Sequence, residues 1–179
     1  IYTPASPLAY NTTYYWQIVP YNANGSATGA EIWEFTTEPD PTITTFPWME
    51  AFENGGTIPN GWIDDPNDSG KDWDFGTSAG HGADQDHTTG TGYFGYVDDS
   101  SPNPTDPTNL LTPPLDLTSL TSPLMSFYYW SFNDRTSPVD TAYLHIDVWD
   151  GSNWNLDVVD SIGQVAEEWR RAVVDLTPY

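Results

Sequence analysis

Alternating aromatic and polar positions, broken by turn residues, run the length of the chain. Thr13-Tyr-Tyr-Trp-Gln-Ile-Val19 is rich in aromatic and β-branched residues and predicts a strand. Glu31-Ile-Trp-Glu-Phe-Thr-Thr37 puts Trp33, Phe35 and Thr37 on one face and predicts a second. Between them lies a turn-rich stretch in which Asn24-Gly25 is the hairpin signal. The prolines of Glu38-Pro-Asp-Pro-Thr42 stop the ladder and predict a linker over 39–42.

Further strands are predicted over 46–53, 91–97, 123–132, 142–149, 154–159 and 169–176. A stretch over 108–117 carries Pro113-Pro114 and so belongs at an edge or a bulge. The run 123–132 is apolar on both faces and reads as a central strand. In 142–149, Tyr143, His145, Asp147 and Trp149 oppose Leu144, Ile146 and Val148, and Asp150-Gly-Ser-Asn153 turns into the next strand. One helical turn is expected around 164–168. The fold class that follows is all-β: two β-sandwich modules, 1–38 and 43–179, joined by the linker.

Composition sharpens this. Nine Trp and eleven Tyr let a chain that is only 37% hydrophobic form a core. There are 26 acidic residues against four Lys and Arg, a net charge of −22, and 19 of the acids are Asp. Such a surface repels phosphate, which argues against nucleic acid and against an anionic membrane surface. It suits divalent cations or a saline medium. The absence of cysteine excludes disulfides and thiolate chemistry. No apolar run approaches the ~20 residues of a membrane span. No signal peptide is seen and Ile1 is not a start residue, so the chain reads as a piece of something longer.

The stretch 1–38 resembles the last two strands of a fibronectin type III domain. Leu8, Tyr10, the strand from Thr13 to Pro20, Asn24-Gly25 and Trp33-Glu-Phe-Thr-Thr37 carry the likeness. It implies that Leu8 and Tyr10 form a tyrosine corner and that earlier strands lie upstream. The remainder resembles a MAM domain, or its bacterial relative, the cleaved-adhesin type of jelly roll. The matching residues are Ala51-Phe-Glu53, Gly61-Trp62, Trp73, Asp86-His-Thr88 with Gly92-Tyr93 and Val97-Asp98, Leu110-Leu-Thr-Pro-Pro-Leu115, Leu124-Met-Ser-Phe-Tyr-Tyr-Trp130 and Trp169-Arg-Arg-Ala-Val-Val-Asp-Leu176. The animal cysteines are missing, which favours the bacterial branch. The family's closing strands are also missing, so the resemblance implies a jelly roll without its final one or two strands.

No catalytic constellation stands out. His81, His87 and His145 sit in no motif with a nucleophile, and His87 reads as a packed residue. Calcium, which gathers oxygens from loops, is the expected cofactor. The resemblance implies that Glu53, with Asp84 and Asp86, shares an ion at one sandwich edge. A weaker candidate is the loop of Asp65, Asn67 and Asp68, where Asp65, Asn67 and Ser69 alternate before Gly70. Tyr143 and Trp149 are the candidate ligand-binding pair, since sugars stack on such rings.

The expected function is a non-catalytic adhesion or binding region of a secreted or cell-surface multidomain bacterial protein, stabilised by calcium. Its partners would be a protein or glycan on a surface and the flanking domains of the same polypeptide, with no nucleic acid and no membrane insertion. The alternatives are an accessory, substrate-targeting region of a secreted hydrolase, and a structural spacer or filament subunit.

Overall fold

The computed structural model describes residues 3–68, 71–80, 82–98, 107–131, 143–163 and 167–179. The expected turn around 164–168, His81, and the Ser69-Gly70 end of the second acidic loop lie wholly or partly outside the described residues. Among the described residues there is no helix, and every strand pair is antiparallel. The chain is all-β, in keeping with a jelly roll. It divides into two compact units, Ile1–Pro41 and Thr42–Tyr179.

In the first unit β1 (Thr13–Gln17) pairs with β4 (Ile32–Thr36), Trp16 opposite Trp33 and Tyr14 opposite Phe35. The two tryptophan rings lie 4.7 Å apart. The connection carries a small hairpin of β2 (Tyr21–Asn22) and β3 (Gly25–Ser26). Its two-residue turn is Ala23-Asn24, with the Asn22 side chain accepting from the Asn24 amide. Gly25, at φ 121°, thus opens β3 one position earlier than the Asn-Gly signal implies.

The second unit holds four pairs: β5 (Ile63–Asp64) with β8 (Leu110–Leu111), β6 (Asp74–Gly76) with β7 (Phe94–Tyr96), β9 (Leu124–Tyr129) with β12 (Arg170–Asp175), and β10 (Val148–Trp149) with β11 (Trp154–Asn155). A parallel bridge joins Ile43 to Leu115, just past Pro113-Pro114, the break those prolines require. The longest ladder is β9–β12, running from Leu124 opposite Asp175 to Tyr129 opposite Arg170.

Two expectations change. Residues 46–53 form no strand: Pro47 cannot donate to a ladder, and Phe52 sits at φ 59°, which breaks the two-residue alternation. The segment is held by its rings, with Phe52 against Trp62 and Phe75 at 5.2 and 5.7 Å and Trp48 against Trp62. The strand β9 is not apolar-buried on both sides. Leu124, Ser126 and Tyr128 are exposed, opposite Asp175, Val173 and Arg171, and Arg171 donates to the Ser126 hydroxyl at 3.1 Å. The other face carries Met125, Phe127 and Val174 inward. Val174, Leu176, Phe94 and Ala83 are buried, together with Pro59 and Pro113. Trp169 ties the β7 and β9 sides by edge contacts to Phe94 and Trp130.

Candidate functional site

The loop 84–93 is organised by one carboxylate. Asp86 is buried, only 6% exposed. Its Oδ2 accepts from the Thr88 and Thr89 amides at 2.8 and 2.7 Å. Its Oδ1 accepts from the Thr89 hydroxyl at 2.7 Å and the Gly92 amide at 2.6 Å. Burial pushes the Asp86 carboxyl up, but these four donors outweigh it and hold the group well below the usual carboxylate range.

Glu53 reaches the same spot from the opening segment, its Oε1 accepting from the Tyr93 amide at 3.2 Å. The two carboxylates therefore take adjacent amides, Gly92 and Tyr93. A Cβ at Gly92 would come within 2.0 Å of Glu53 Oε1 and 3.0 Å of Thr89 Oγ1, so a larger residue there would displace the Glu53 carboxylate. His87, still exposed, stacks its ring on Tyr128, and Trp169 donates to the Gln85 carbonyl.

Of the three residues expected to share calcium, Glu53 and Asp86 thus accept from adjacent amides, while Asp84 is exposed and receives no hydrogen bond from the described residues. A carboxylate offers about four lone-pair sites, and Asp86 fills four with its own loop. It does not fit as a direct metal ligand. Among the described residues no group of three or more acidic or histidine side chains is arranged around one point.

The second acidic loop is likewise tied to protein donors. Asp65 Oδ1 accepts from the Asn67 amide and side chain at 2.9 Å. Asp68 Oδ2 accepts from the Asn109 amide at 2.6 Å, which fastens the loop beside β8. Asp64 Oδ2 accepts from the Trp73 amide at 3.0 Å. Burial pushes the Asp64 carboxyl up against that hydrogen bond, and the charges of Asp72, Asp68 and Asp74 push the same way.

Tyr143 and Trp149 are both exposed on the outer face of a hairpin spanning 143–163, but they do not touch. Leu144 bridges Ile162, and the Ile146 carbonyl accepts from the Val158 amide. Leu144, Ile146 and Val148 are half-buried, whereas Tyr143, His145, Asp147 and Trp149 are exposed. Asp150 caps the turn by accepting from the Ser152 and Asn153 amides at 2.8 Å. Two features of this face escaped sequence reasoning. Trp154 lies opposite Trp149 with ring centroids 5.7 Å apart, and His145 Nδ1 meets Asp157 Oδ1 at 2.6 Å. The first follows from the turn, since Asp150–Asn153 sets 149 against 154. The second depends on a bulge at Asp157, φ 49°, whose amide donates to Asp147.

The comparison with protein families is decisive. The family model described as MAM domain, meprin/A5/mu, matches residues 51–179. The chain belongs to the MAM family. MAM domains are extracellular, non-catalytic modules of the adhesion type that mediate protein–protein interaction. The match takes in the MAM chain's Asp86 loop, both acidic clusters and the aromatic hairpin, and stops short of the first unit. Searches of curated proteins and of solved structures return no match. No helix of the described residues is long and apolar enough to cross a membrane.

Proposed function

We propose that this MAM chain is a non-catalytic binding region of a secreted or surface-anchored multidomain bacterial protein. The family match over 51–179 carries this reading. The aromatic side chains held at the surface of the second unit support it, and the lack of cysteine supports a bacterial source. The first unit is the end of a fibronectin type III-like module; its paired Trp16–Trp33 and Tyr14–Phe35 rings support that assignment.

The test is adhesion. Beads coated with the full chain should be retained on immobilised extracellular matrix proteins or cell layers above albumin-coated beads. Equal retention of both kinds of bead sinks the reading.

Calcium belongs to the proposal in a restricted form. An ion near this loop would draw on Glu53 and Asp84, with Asp86 organising the loop behind them. Melting in chelator, then in millimolar Ca²⁺ or Mg²⁺ at matched ionic strength, decides it. A ligand at 100 times its Kd adds about 2.7 kcal/mol, several degrees for a domain of this size. A Ca²⁺-specific rise lost in Glu53→Ala supports the site, and equal curves dismiss it.

A further inference from the structure

The outer face of the 143–163 hairpin combines exposed rings with carboxylates. Tyr143, Trp149 and Trp154 are 57%, 51% and 51% exposed, so about half of each large side chain stays in water although the hairpin has a packed inner side. Asp147, Asp150, Asp157 and Asp160 lie in the same stretch, which contains no Lys or Arg. The negative face of an indole ring and a nearby carboxylate favour the same ligand, a cation. A neutral sugar would stack on the rings and donate hydroxyls to the acids but would leave their charge unbalanced, and an anionic one would be repelled by a chain of net charge −22. From Tyr143 to Trp149 an extended strand covers ~20 Å, the reach of about six residues of a partner.

Resting on the binding-region reading above, we infer that this face docks a lysine- or arginine-bearing segment of a partner protein. The partner's cation lies over the Trp149–Trp154 pair, and the Asp147 and Asp157 carboxylates supply the opposing charge. The His145 contact orients Asp157 at the edge of the strip.

The experiment titrates the full chain with hexalysine and hexaarginine peptides, followed by tryptophan fluorescence. A Gly-Ser peptide and a neutral chitin oligosaccharide serve as comparators. Both basic peptides should bind, more weakly as salt rises. The double variant Trp149→Ala/Trp154→Ala should lose about fivefold or more in affinity. Asp157→Asn, which suits the left-handed backbone there, should lose about two- to threefold. Trp16→Ala, in the other unit, should change nothing. Should the alanine pair fail to fold, the phenylalanine pair keeps two rings and should retain most of the binding.

Undiminished peptide binding by the folded alanine pair overturns the inference, because attraction would then be diffuse. Preference for the oligosaccharide overturns it in favour of a sugar platform. Failure of both peptides to bind overturns it too. If the double variant still adheres to matrix or cells as the parent does, only this inference falls; if the parent itself does not adhere, the binding-region reading falls with it.

Discussion

At the scale of single residues, carboxylates here act mainly as hydrogen-bond acceptors for their own loops. Asp86, Asp116, Asp150 and Asp175 are all held below the usual range by donors within a few residues, chiefly Thr89, Thr118, Asn153 and Thr177. Asp86 differs in being buried, so its removal leaves three amides without their acceptor, that of Gly92 in a buried position. Asp86→Ala should therefore lower the melting temperature by several degrees, and by more than Asp116→Ala, whose site is exposed.

The pH dependence follows from the direction of the shift. The folded state holds Asp86 ionised more readily than the unfolded chain does. Its stabilisation is complete above the unfolded value, about pH 4, and is lost as pH falls from there toward the folded one. Denaturant melts between about pH 5 and pH 2.5 should show a shallower decline for Asp86→Asn than for the parent. Asp64 shifts the other way, so its ionisation on raising pH costs stability. Asp64→Asn keeps an acceptor for the Trp73 amide and should melt higher than the parent at neutral pH, the gain shrinking below about pH 4.

At the scale of elements, the β9–β12 ladder separates two faces by one-residue steps. Val174 is 1% exposed and Val173 is 50% exposed. Val174→Ala should cost about 2 kcal/mol and Val173→Ala under about 0.5 kcal/mol, measured by chemical denaturation. Equal costs would mean that the inner face is not the core.

Apolar and β-branched runs located both strands of this ladder, and two such runs flanking the Asn24-Gly25 signal located the pairing of β1 with β4. The same kind of reading overreached in 46–53, where aromatic content does not reveal the left-handed turn at Phe52. The candidate site was legible to a similar degree. Glu53 and Asp86 accept from adjacent amides, and the donors from Thr88, Thr89 and Gly92 need three-dimensional closure to be seen. Tyr143 and Trp149 were readable from a two-residue period; their neighbours Trp154 and Asp157 required the hairpin register.

At the scale of the whole molecule, charge dominates. A net −22 spread over 179 residues makes the folded chain repel itself, and screening relieves that. Melting temperature should rise by several degrees between about 10 mM and 150 mM salt, alike for sodium and for choline chloride. A response confined to divalent ions would instead point to a localised site. The same field draws basic partners toward every face of the chain, so selectivity must come from the rings of the 143–163 hairpin.

The Asp86 loop bears on how the chain finds its fold. Its four donors all lie within six residues of the carboxylate, so the turn closes at small entropic cost and on the sub-microsecond scale of short loops. The β9–β12 ladder must instead bring Leu124 to Asp175 across a long stretch of chain. An early-formed knot of this kind also presents the Tyr93 amide to Glu53, on the opening segment. The N-terminal edge of the domain then has a prepared anchor before the long ladder zips.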